Sequence, residues 1–292
     1  MSVRLDQRAQ RLGELRARRA ILAMNGVRPR RRRRARRQQF PRGERLAFQR
    51  AILEILTEVE ERFAGEILPS LERFAEQVRQ TDPSTRLDAP IDEIRALIER
   101  LRGAVMSSQL TARIRALVGR MAERVSAFNR RELDQLFGAT LGVGLPAAEP
   151  FLADALAAAV SENVRRVTGL VMEQFDQLEN TISSGFRRGL RSTEIAGQIQ
   201  ERLRITRNRA KLIARDQVAS LNGELTRQRQ TNLGVREYIW RTSGDERVRP
   251  SHEDLDGRRF RWDDPPDEGH PGTPILCRCV AEPVLDELIE AT

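Results

Sequence analysis

Apolar positions recur along this chain in steps of three and four residues, and that period predicts most of its architecture. From Phe48, the series Ile52, Ile55, Leu56, Val59, Phe63, Ile67, Leu71, Phe74 and Val78 traces one stripe of an α-helix. Pro69 stands inside it, so a kink or break is expected near Leu68. A second stripe runs from Ile91 through Ile94, Leu97, Ile98, Leu101 and Val105, then Leu110, Ile114, Leu117, Met121, Val125 and Phe128. Gly103 and the Ser107–Ser108 pair are its candidate separators. A third stripe joins Leu152, Leu156, Val160, Val164, Val167, Val171, Phe175, Leu178, Ile182 and Phe186. Three long stripes predict helical hairpin members packed as a bundle. The four-residue steps exceed strict heptads, which puts a sustained coiled coil second. Residues 81–90 and 138–150, rich in Pro, Gly and short polar residues, read as linker and hinge. Leu5, Leu12, Leu15 and Leu22 predict a short amphipathic helix over residues 3–24.

The pattern changes after Gly189. A short helix is expected there, with Ser192 or Thr193 as its N-cap and Glu194 in its first turn. Thr206 is expected to cap a further helix that Gly234 ends. The apolar side of that helix is narrow and alanine-rich: Ala210, Ile213, Ala214, Val218, Leu221 and Leu225. Residues 235–242 (VREYIWRT) are strand-like in composition. Asp256-Gly257 predicts a β-hairpin turn between Leu255 and residues 258–262 (RRFRW), and Cys277-Arg278-Cys279 reads as a last strand. The expected fold class is therefore mainly α, a long-helix bundle followed by a small α+β C-terminal module of helix, strand, β-hairpin and Cys-X-Cys strand. Its parts would be a basic, largely disordered arm (residues 1–43), a helical bundle (44–190) and the module (191–292).

Composition supports this reading. With 32% charged, 39% apolar and 4% aromatic residues, the chain suits a charge-laced helical protein better than a sandwich or an α/β enzyme core. The net charge of +9 is placed unevenly. Arg28, Arg30, Arg31, Arg32, Arg33, Arg34, Arg36 and Arg37 form a block without acids, expected to be disordered because like charges repel and nothing apolar is there to bury. Such an arm releases counterions from double-stranded DNA and binds it without reading sequence; an acidic protein surface is its other candidate partner. No apolar run approaches the ~20 residues of a membrane span, and the N-terminus lacks a secretory core. Two cysteines do not make a disulfide framework. A soluble, intracellular site of synthesis, without a membrane partner, is the expectation.

The chemistry gathers in residues 235–283, which hold both histidines, both cysteines, the one tyrosine and both tryptophans. His252, His270, Cys277 and Cys279 are the ligand types of a tetrahedral zinc site, and residues i and i+2 of a strand share a face. The spacing is not that of a zinc finger, however. The competing reading has the thiols packing as small hydrophobes and the histidines bonded to loop carbonyls. A Cys277–Cys279 disulfide would close a very small, strained ring. Asp245, Arg247, Arg249 and Asp254 lie near His252 in sequence, so a metal-dependent nuclease or hydrolase centred on that histidine is one alternative. No P-loop, GxSxG or HExxH occurs. No catalytic residue is assigned, and an enzyme is not expected.

Taken together, the motifs resemble a known family. Ile213-Ala214-Arg215-Asp216-Gln217 with Asn222 on a helix come first, then Gly234, Trp240, Asp245, Arg247, Arg249 and His252. Leu255-Asp256-Gly257, Pro271, Pro274, Cys277-Arg278-Cys279 and Pro283 complete the order. This order, over roughly residues 185–283, resembles the phage Mu F-like minor head proteins, the head morphogenesis proteins of tailed bacteriophages. The family pattern has an Asn before the first cysteine, where this chain has Leu276; any hydrogen bond from that side chain is in doubt. The resemblance implies a minor capsid protein of the virion head that joins the portal vertex during prohead assembly. Its implied partners are the portal and major capsid proteins, in several copies, with the arginine arm on DNA. A transient assembly chaperone absent from the mature virion is the other alternative. Trp240, Asp245, Arg247, Arg249 and Gly257 are then structural or docking residues.

Overall fold

The computed structural model describes residues 38–80, 88–142, 144–244 and 248–285. The helix expected over residues 3–24, the arginine block, most of the 81–90 linker, Asp245 and Arg247 lie outside them. Seven α-helices and three strands follow in order among the described residues: α1 (Arg42–Glu66), α2 (Leu68–Gln80), α3 (Asp88–Val105), α4 (Ser108–Leu141), a 3-10 turn (Pro150–Leu152), α5 (Ala153–Arg187), α6 (Ser192–Asn232), β1 (Glu237–Arg241), α7 (Pro250–Glu253), β2 (Arg259–Arg261) and β3 (Val280–Pro283). The fold is mainly α with a small antiparallel sheet at its C-terminal end, as the periodicity predicts.

The stripes are the core. Ile52, Leu56, Ile94, Ile98, Phe175 and Leu178 are all at most 1% exposed, and each side chain buried so completely contributes about 1.5–3 kcal/mol. The break at Pro69 is real: α1 stops at Glu66 and α2 starts at Leu68, placing the proline in the first turn of the new helix, where its missing N–H costs nothing. The separation of α3 from α4 falls at Met106–Ser107, so Gly103 stays helical. The linker reading overshoots by three residues, because α3 starts at Asp88.

Two compact units emerge, each gathered from separate stretches of sequence. In one, described over residues 46–80, 88–120 and 160–214, the apolar stripes form the interior. The other, described over 38–45, 121–142, 144–159, 215–244 and 248–285, contains the sheet. Its interior includes a polar network as well as an apolar cluster of Leu133, Leu136, Phe137, Leu145, Leu233, Val235 and Leu285. Arg229, 1% exposed, donates from Nε and Nη2 to both oxygens of Glu149 at 2.8 Å, and from Nη1 to Asn129 at 2.7 Å and the Ser126 carbonyl at 3.1 Å. Asn129 passes the chain on, donating to the Asn222 side chain and to Thr226. The forked guanidinium is thus satisfied in burial, which a lone charge there would not be.

Three local expectations are corrected. First, α6 is one helix of 41 residues rather than two. Thr206 sits inside it, its hydroxyl donating back to the Arg202 carbonyl at 3.1 Å instead of capping a new helix. The helix start is closed by Glu194, whose carboxylate accepts the Arg191 N–H at 2.8 Å. Second, β2 does not form a hairpin across Asp256-Gly257. Its partner is β1, with Tyr238 opposite Phe260, while the residues before Asp256 form the short helix α7. Third, Cys277 and Cys279 precede β3 instead of lying in it.

Candidate metal centre

Everything around the cysteines is hung on β1, the middle strand of the order β2-β1-β3. Alternation along β1 buries Tyr238 and Trp240 completely while Glu237, Ile239 and Arg241 stay partly exposed. Both edges pair antiparallel, and Pro283 is tolerated because β3 is an edge strand. Beyond β1 the chain turns back on itself through the Leu255-Asp256-Gly257 motif. Gly257, at φ +78°, donates its N–H to the Trp240 carbonyl at 2.9 Å, a backbone conformation that favours glycine. Asp256 accepts the Thr242 N–H at 2.8 Å. This fold-back sets the ring of His252, carried on α7, edge-on against Trp240, centroids 5.2 Å apart.

The second half of the site comes from the loop before β3. There the backbone of Pro271 and Gly272 lies directly on the backbone of α6. A Cβ at Gly223 would stand 2.5 Å from the Pro271 carbonyl, and one at Gly272 would stand 2.8 Å from the Ala219 carbonyl. Two residues of the alanine-rich motif then clamp the peptide groups of Leu276. Asp216 accepts its N–H at 2.9 Å and Arg215 donates to its carbonyl at 3.3 Å. Arg249 donates to the neighbouring Ile275 carbonyl. Held this way, Leu276 takes φ +60°, the one positive φ of a non-glycine residue among the described residues.

The sharp bend brings both sulfurs to one nitrogen. His252 Nδ1 lies 3.4 Å from Cys279 Sγ and 3.8 Å from Cys277 Sγ, and the three donor atoms are all within 4.8 Å of one another. All three residues are buried. Cys277 Sγ also accepts the N–H groups of Gly272 at 3.5 Å and Cys279 at 3.4 Å. A hydrogen bond from the Cys279 thiol brings the Cys277 thiol down to about 6; burial opposes this, and the two backbone N–H groups and the His252 charge add to it. Cys279 shifts the other way, its proton held by Cys277 and disfavoured from leaving by burial.

These donors fit a tetrahedral divalent metal. With Zn–S near 2.3 Å and Zn–N near 2.05 Å, tetrahedral angles require S···N separations of about 3.6 Å, and the two found here bracket that value. Two thiolates would neutralise a divalent charge, which makes burial of the ion affordable in this apolar setting. Soft sulfur with imidazole suits zinc, not magnesium or calcium.

Of the four ligands expected from the sequence, three converge and His270 does not. Its Nδ1 is 3.0 Å from the Tyr238 hydroxyl, and its ring packs on Trp262 with centroids 4.9 Å apart. Burial, with the charge of Arg227, keeps its pKa below the ordinary histidine value. The histidine is thus consumed in bracing the loop against β1. Sequence reasoning did not single out Glu268, whose carboxylate oxygen lies 3.5 Å from His252 Nε2. Neither its neighbours nor its spacing mark it among the many acids.

The family model described as "Phage Mu protein F like protein" matches residues 176–282. An uncharacterized protein of Haemophilus influenzae is 33% identical over 183 residues, which are 61% of this chain and 41% of that relative. The chain therefore spans about two fifths of the length of that curated relative. No solved structure is significantly similar. The matched segment contains the turn, the clamp and all three converging ligands, and over residues 176–282 the chain is similar to the Phage Mu F-like family.

Proposed function

We propose that this protein is a minor head protein of a tailed bacteriophage, a non-enzymatic component that joins the portal vertex during prohead assembly. The observation that carries the reading is the family match over residues 176–282, which takes in the three converging ligands and most of the C-terminal module. Portal and major capsid proteins are its partners, in several copies, and packaged DNA is the target of the Arg28–Arg37 block. The His252, Cys277 and Cys279 cluster takes a zinc ion that braces the module instead of performing chemistry. In support, all three donors are buried. Among the described residues, no helix is long and apolar enough to cross a membrane.

Quantitative mass spectrometry of mature particles and empty proheads from the same source tests the placement. A few copies per portal ring in both is the expected result. Presence in proheads alone would replace it with a departing assembly factor. Absence from both, together with metal-dependent DNA cleavage abolished by His252→Ala, would replace it with a nuclease.

A further inference from the structure

Resting on the reading of the cluster as a metal site, we infer that Glu268 is the positioning residue that makes His252 a ligand through Nδ1, by receiving the proton of Nε2. The ring has two nitrogens facing opposite ways. Nδ1 faces both sulfurs. It has a single lone pair, so it cannot accept good hydrogen bonds from two thiols at once; a cation at their common focus engages all three donors. Nε2 is buried, makes no regular hydrogen bond and faces the Glu268 carboxylate at 3.5 Å. A metal-binding histidine needs its second nitrogen protonated and directed at an acceptor, which fixes both tautomer and ring orientation.

The acceptor is itself held. Glu268 takes a hydrogen bond from Ser251, the residue before His252, so the orienting carboxylate is anchored to the same short helix that carries the ligand. On the other side, the Trp240 ring stands edge-on to the imidazole. A flipped ring would turn Nδ1 away from the sulfurs and lose the convergence. Glu268 reaches the site from a Pro- and Gly-containing loop, residues 265–272, which leads directly into the segment that carries the cysteines. One loop thus supplies the orienting carboxylate and then the two thiolates.

The test uses the full chain, stripped with a chelator and titrated with Co²⁺ and with Zn²⁺ against a competing indicator. The unaltered protein is expected to bind one equivalent, with sulfur-to-cobalt absorption that Cys277→Ser diminishes. Glu268→Ala is expected to weaken zinc affinity about 10- to 100-fold while keeping the two-thiolate spectrum. Glu268→Gln, whose amide oxygen still accepts the Nε2 proton, should recover part of that loss. Nitrogen-15 spectra of the zinc form are expected to show His252 protonated at Nε2. If the unaltered protein binds neither metal, the metal reading itself fails and the inference with it. If it binds but Glu268→Ala leaves affinity unchanged, or zinc sits on Nε2, only the role of Glu268 is overturned.

Discussion

Single residues here carry costs that the chain accepts in order to shape the site. Leu276 is the plainest. In the left-handed region its Cβ crowds the backbone, a cost of about 1–2 kcal/mol that Asn and Gly escape more readily. The resemblance leads one to expect Asn at this place, and the backbone conformation supplies a reason that needs no side-chain hydrogen bond. Leu276→Asn is expected to raise stability by about 0.5–1 kcal/mol, read as a higher denaturation midpoint with unchanged metal binding; a lower midpoint would contradict the strain argument. Arg229 is the opposite case, a buried charge made tolerable by its partners. Burial alone would raise the Glu149 pKa, but the hydrogen bonds and charges of Arg229 and Arg130 outweigh it and hold the carboxyl below its ordinary value. The pair's contribution is therefore complete above the ordinary carboxylate range and is lost as pH falls through the lower folded value. Glu149→Gln, which strands the guanidinium, should cost about 3–5 kcal/mol at neutral pH. In an acid titration, the difference between the two proteins should shrink below about pH 4; a constant difference would place the stabilisation elsewhere.

At the scale of elements, the decisive contact is between α6 and the loop that delivers the cysteines. Gly223 and Gly272 let two backbones meet at distances no side chain allows. Gly223→Ala puts a methyl group on the Pro271 carbonyl, so the loop must move. A loss of about 1–3 kcal/mol is expected, along with faster reaction of Cys277 and Cys279 with a thiol reagent in the metal-free protein. Unchanged thiol reactivity would show that the loop does not depend on this contact. The helices were legible because burial repeats at the helical period, and the break at Pro69 was legible because proline cannot continue a helix. The partner of β2 was not legible. An Asp-Gly turn signals a reversal of direction but not which strand lies across it, and here the turn closes α7 against β1. Thr206 misled for a related reason: a mid-helix threonine bonded to the carbonyl four residues back has the same sequence signature as a cap.

For the whole molecule, the charge is the property with the widest reach. If the eight arginines of residues 28–37 supply the DNA contact, removing them should abolish binding to double-stranded DNA, and the binding of the intact chain should fall steeply between about 50 and 200 mM salt. Salt-insensitive binding, or binding that survives the deletion, would move the contact elsewhere. The sequence by itself determined the helical class, the small C-terminal module, the family resemblance and the concentration of rare chemistry in residues 235–283. Each of these follows from local period, composition or ordered motifs, which need no knowledge of what meets what. Only the tertiary structure decided the ligands. All four candidates are close enough in sequence to share an ion, yet Tyr238 takes His270 while the bend at Leu276 turns both sulfurs to His252. It also selected Glu268 from 42 acidic residues, because its distance from a buried nitrogen exists only after the loop has folded onto α6 and β1.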